Sequence, residues 1–152
     1  MSPASKAGET GRFSAPERAA MKQRAAELKA DSRRAGAAEK AAADEAAVLA
    51  KIAEMPQPDR AMAERLRTIV AEAAPGLSPK LYYGQPGWAE AGKVVVFFRS
   101  GQMDKARYST LGFSVDARLD EASGLWPTSY ALESLTADGA AEVAALIRKA
   151  VG

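Results

Sequence analysis

Pro75-Gly76 marks a change in how this chain is written. Upstream, alanine-rich, charge-dense segments carry their larger apolar residues at helical spacing. Downstream lie all the aromatic residues except Phe13 and nearly all the β-branched runs, in short segments bounded by Gly, Pro, Asp and Ser. Helices gathered before strands, with one more helical pattern at the end, exclude an alternating α/β design. They predict an α+β domain, an antiparallel sheet of about five short strands flanked by helices.

Three helices are expected before the break. The first opens at Ser14-Ala15-Pro16-Glu17, where Ser14 caps, Pro16 suits the first turn and Glu17 can reach back to the cap. It is expected to run to Arg34 and stop near Gly36. Its apolar stripe, Met21, Ala25 and Leu28, is thin, so its docking is expected to be weak. A second helix is expected from Glu39 to Met55, with Val48, Leu49, Ile52 and Met55 on one face and Pro56 ending it. A third begins near Pro58 and gathers Met62, Leu66, Ile69, Val70 and Ala73 into a core stripe. The organisation that follows is a disordered tail over residues 1–12, a helical extension over 13–36 and the α+β domain over 37–152.

Beyond the break, strands are expected at Leu81–Tyr83, Val94–Arg99, Tyr108–Phe113 and around Trp126–Leu132, with Trp88 and Ala89 pairing across the turn at Glu90-Ala91-Gly92-Lys93. The run Val94-Val95-Val96-Phe97-Phe98 does not alternate, which predicts a central strand covered on both faces. The closing helix starts after Thr136, holds Val143, Leu146, Ile147 and Ala150 on one side, and places Arg148 and Lys149 at its C-terminal dipole.

The inventory removes whole classes of chemistry. The chain has no cysteine and no histidine, which excludes disulfides, thiolate catalysis, the imidazole general base and every metal site built on those ligands. A metal would have to be held by oxygen. With Lys+Arg 21 against Asp+Glu 19, no strongly basic field calls for nucleic acid. No apolar run approaches a membrane span or a signal sequence, so a cytoplasmic, monomeric protein is expected.

Candidate sites are few. The segment Leu81-Tyr82-Tyr83-Gly84-Gln85-Pro86-Gly87-Trp88 reads as a bent connection between strands, with one tyrosine entering the core and Trp88 sealing an edge. It also reads as an aromatic rim on a pocket. On that second reading Tyr83 and Trp88 join Lys105 and Arg107, from the connection before Tyr108, to hold a small molecule or an anion. For an oxygen-ligated metal, the densest acidic set is Asp116, Asp120 and Glu121, the first two brought together if the segment forms a helical turn. No nucleophile has an activating neighbour, and the glycines at 84, 87 and 92 do not form a phosphate-binding loop.

The ordered set Pro75, Tyr83, Gly84, Pro86, Trp88, Gly92, Lys93 and Phe97, followed by Thr110-Leu111-Gly112-Phe113, resembles the YdhG-like domain family over roughly residues 48–151. The resemblance implies a small α+β domain with an antiparallel sheet flanked by helices. Some members of that family are described as frataxin-like intracellular iron chaperones, which implies iron as cargo and assigns no catalytic set. The expectation is a non-enzymatic binding or carrier domain, an iron chaperone by resemblance. Its alternatives are a small-molecule or anion binder on an aromatic and basic face of the sheet, and a protein-interaction module through the first helix. That helix region, Arg12 to Arg34, holds seven basic and three acidic residues.

Overall fold

The computed structural model describes residues 13–152, so the tail expected to be disordered over 1–12 lies outside the described residues. Helix α1 runs from Ala15 to Ala53 without interruption. The break expected near Gly36 is therefore absent. Ala35, Ala37 and Ala38 around that glycine are the strongest helix formers, and one interior glycine costs only about 1 kcal/mol. The expected capping box at its start forms. The Ser14 amide donates to Glu17 Oε1 at 2.8 Å and the Glu17 amide donates to Ser14 Oγ at 3.1 Å. The Ser14 amide, and then the Ser14 hydroxyl beside the carboxylate, hold the Glu17 carboxyl below its usual range.

The chain divides into two compact units at Lys40/Ala41. In the first, every described residue is exposed except Ala30, which is half-buried. The second unit holds the core. Val48 and Ile52 at the end of α1 are buried there with Met55, whereas Leu49, expected on the same face, is 40% exposed. Helix α2 spans Asp59–Ala73 and buries Met62, Leu66, Ile69 and Val70 of the stripe its spacing predicts, with Ala63 added and Ala73 only half-buried. Helix α3, Ala137–Val151, is capped by Thr136, whose hydroxyl accepts the Gly139 amide at 3.0 Å. It buries Val143, Ile147 and Ala150. Among the described residues no helix is long and apolar enough to cross a membrane.

Five strands form one antiparallel sheet in the order β1-β2-β3-β4-β5: Ser78–Tyr82, Gln85–Glu90, Lys93–Arg99, Ser109–Phe113 and Ser129–Leu132. The architecture is α+β. Residues opposite one another on paired strands share a face of the sheet. Pro79, Trp88, Val96 and Phe113 form one such row, and Phe98 with Leu111 and Tyr130 another. Trp88, Val96, Phe98, Leu111 and Phe113 belong to the same core cluster as the buried residues of the three helices, so this is the inner face.

β3 is central, as expected, and its outer face is covered only in part, with Val94 buried and Phe97 half-buried. Its register slips between Trp88 and Ala89, where Trp88 pairs with Val96 and Ala89 with Val94, so Val95 is an extra residue in a bulge. The bulge brings Val95 and Val96 together into the core cluster, while Val94 and Phe97 stay outside it. Five consecutive apolar residues thus reflect one bulge in a half-covered strand. Phe97 itself is half-buried on the opposite, outer face.

Candidate functional site: the outer face of the sheet

The outer face is built by register. Lys80, Gly87, Phe97, Gly112 and Ser129 lie in one row across all five strands, and Tyr82 faces Gln85 beside it. Phe97 is flanked by glycine on both neighbouring strands. A Cβ on Gly112 would overlap the Phe97 ring, so the absence of a side chain there lets the ring lie down over β4. On the other side, a Cβ on Gly87 would meet the Lys80 carbonyl at 2.8 Å. Tyr82 packs against Phe97 with ring centroids 4.7 Å apart and planes tilted by 31°. Tyr83 meets Tyr82 edge-on, also at 4.7 Å.

Tyr83 sits where an aromatic residue is expensive. With Tyr82 paired to Gln85, the hairpin turns on Tyr83-Gly84 alone, and both residues have positive φ, 47° and 78°. Such two-residue turns favour Asn-Gly, because the left-handed region crowds Cβ against the following carbonyl oxygen at about 1–2 kcal/mol, which Gly avoids and the short polar side chain of Asn offsets by local hydrogen bonding. The ring recovers little of that by burial, since Tyr83 remains 84% exposed.

Tyr82, Tyr83, Gln85, Phe97 and Arg99 line a cavity of about 210 Å³. Arg99 is held in place by Asp104, with Nε donating to Oδ2 at 2.5 Å and Nη2 to Oδ1 at 3.1 Å. The loop carrying Asp104 is anchored in turn by the first residue of α2. Asp59, 3% exposed, accepts the Ser100 hydroxyl at 2.5 Å and the Gln102 amide at 2.9 Å. Gln85 also lines the cavity, and its Oε1 is buried with no hydrogen-bond partner, the one such side-chain atom among the described residues. A buried acceptor left without a donor costs about 1–3 kcal/mol.

The residues singled out by sequence do not converge. Trp88 is 2% exposed in the core, on the opposite face from this cavity. β2 is also an interior strand, so Trp88 does not seal an edge. Tyr83 does line the cavity, while neither Tyr82 nor Tyr83 joins the core cluster. Lys105 and Arg107 are exposed on the β3–β4 connection, and the Arg107 guanidinium lies 5.1 Å from the centre of the Tyr108 ring. Asp116, Asp120 and Glu121 are all exposed, and Glu121 is paired with Lys149. Among the described residues no group of three or more acidic side chains is placed to hold a metal ion. The expected helical turn there is replaced by a short turn followed by irregular chain, which buries Ala117 and Leu119 and leaves the carboxylates in solvent.

Sequence reasoning missed Tyr82, Gln85 and Phe97, and it placed Arg99 only beside Lys105 and Arg107 as part of a basic connection. The available signal was parity: with a two-residue turn at Tyr83-Gly84, Tyr82 and Gln85 must share a face, and Phe97 and Arg99 must share one as well. A larger groove of about 570 Å³ runs between β5 and α3, past Leu111, Leu132, Val143 and Leu146, but no side-chain atom in it is buried without a partner. The outer-face cavity therefore offers aromatic faces, an unmatched acceptor and a guanidinium already matched by a carboxylate. That set can recognise a molecule, and it contains no pair of groups arranged for proton transfer. Neither family models, nor curated proteins, nor solved structures give a match to this chain.

Proposed function

We propose that this chain is a non-enzymatic domain that binds a small ring-bearing molecule on the outer face of its sheet, against Tyr82, Tyr83 and Phe97. The observation that carries the reading is Tyr83, an exposed aromatic ring kept at a left-handed backbone position, at the rim of an aromatic cavity. Folding alone gives that ring little reason to be there, and a ligand that stacks against it does. The cavity is smaller than the roughly 300–1,000 Å³ typical of drug-sized ligands, which points to one or two fused rings.

The iron-carrier reading has no comparable support, since the acidic candidates Asp116, Asp120 and Glu121 do not form a metal-holding group. The interaction reading through the first helix rests on its charge alone. The resemblance to the YdhG-like family rests on the ordered residues from Pro75 to Phe97 and on Thr110–Phe113 alone, and it leaves the ligand open.

The test is a ring-fragment screen on the full chain by amide NMR. Saturable shifts are expected at Tyr82, Tyr83, Gln85 and Phe97, and Phe97→Leu should weaken them about tenfold by removing the stacking surface. A screen in which no fragment moves these signals, or in which Phe97→Leu changes nothing, would sink the proposal.

A further inference from the structure

Building on that reading, we infer that the ligand is an uncharged planar ring that carries an N–H donor on its edge, as a cyclic amide or a lactam-type heterocycle does, and that Gln85 Oε1 receives this proton. The aromatic rings fix only that the ligand is flat. Its polarity follows from what the cavity leaves unmatched.

Gln85 Oε1 is shielded from water yet has no donor, in a chain whose other buried polar side chains among the described residues are all satisfied. Asp59 and Ser100 illustrate the contrast: both are buried, and each bonds the other. Gln85 lines the cavity but its Oε1 is closed to solvent as the rim stands, so the rim must open for a ligand to meet it. Once uncovered, the orphan acceptor is a specificity element, because a ligand N–H relieves it and a methyl group at the same place does not. The site also carries no net charge. Arg99 is the one cation in the lining, and both of its bonds to Asp104 lie on the same carboxylate, which balances it. Tyr82, Tyr83, Gln85 and Phe97 are neutral. An anion would gain little from a guanidinium already engaged in this way and half-exposed to screening solvent, so the anion expected at Lys105 and Arg107 is not the ligand of this cavity.

Access comes from the Tyr83 side. Its ring is exposed along most of its surface and rides on a two-residue turn, so a rotamer change there disturbs less packing than any movement of Tyr82 or Phe97.

The probes are 2-pyridone, N-methyl-2-pyridone and a pyridone bearing a ring carboxylate, titrated into the full chain and followed by amide NMR. The N–H ring is expected to bind about tenfold tighter than its N-methyl analogue, and the carboxylate to add nothing. Gln85→Leu should bring the N–H and N-methyl rings to equal affinity while both still shift Tyr82 and Phe97. Equal affinity of the two rings for the unmodified chain overturns the inference and leaves the parent reading standing. A carboxylated ring that binds severalfold tighter overturns the claim that the ligand is uncharged. Absence of binding by all three removes the inference, the ring-fragment screen deciding the parent reading separately, and the unmodified chain distinguishes these outcomes whether or not Gln85→Leu folds.

Discussion

The two faces of this sheet are made from the same strands and are put to opposite uses. On the inner face, Trp88, Val96, Phe98 and Leu111 are each no more than 2% exposed and share one cluster with the helices. On the outer face, the Phe97 ring lies over Gly112, Tyr83 stands in solvent and an amide oxygen is left without a donor. The inner face satisfies every demand of packing. The outer face breaks several local rules of stability in one place, which is where recognition is expected to reside.

The sharpest separation between the faces should come from Trp88→Ala, which empties a fully enclosed position and should lower stability by about 3–5 kcal/mol in urea unfolding. If it proved as mild as a surface change, the inner face would not be the core described above. Next, Gly112→Ala places a methyl group inside the Phe97 ring and should cost about 1–3 kcal/mol while closing the cavity, read as loss of fragment shifts at Tyr82. An alanine tolerated there without loss of either would mean that Phe97 is not seated as described. Tyr83→Asn is expected to act in the opposite sense on stability. It should raise the thermal midpoint by relieving up to about 1 kcal/mol of turn strain, and it should weaken ring binding. A variant that gained stability and kept full affinity would separate Tyr83 from recognition.

The smallest effect expected lies away from both faces, at the start of α1. Glu17 has a depressed pKa in the folded chain, so its contribution to the first helical turn is complete above the ordinary glutamate value and lost as pH falls through the depressed one. An NMR titration should therefore show the Ser14 and Glu17 amides shifting in acid while signals from Phe97 and Trp88 hold still.

Much of the fold was legible because it rests on periodicity. The stripe Met62, Leu66, Ile69 and Val70 and the cap at Thr136 are local signals, and tertiary packing did not override them. The long first helix was misread at Gly36, where a single weak residue was outweighed by the alanines around it. β3 was misread for a different reason. A bulge changes which residues face inward without changing composition, so Val95 and Val96 side by side look like a strand buried on both faces. Of the site, only Tyr83 was legible. Phe97, Gln85 and Arg99 become neighbours through cross-strand register, and the value of Gln85 lies in a bond it does not make, which no spacing records.

The strand order carries a kinetic consequence. Because each strand pairs with the one before it in sequence, the sheet contains no crossover, and two of its pairings are closed by two residues each, β1 with β2 by Tyr83-Gly84 and β2 with β3 by Ala91-Gly92. Loop closures this short demand little entropy before they gain contacts. The sheet can therefore assemble hairpin by hairpin, and the strained turn at the rim of the cavity is also among the first places where the folding chain must commit.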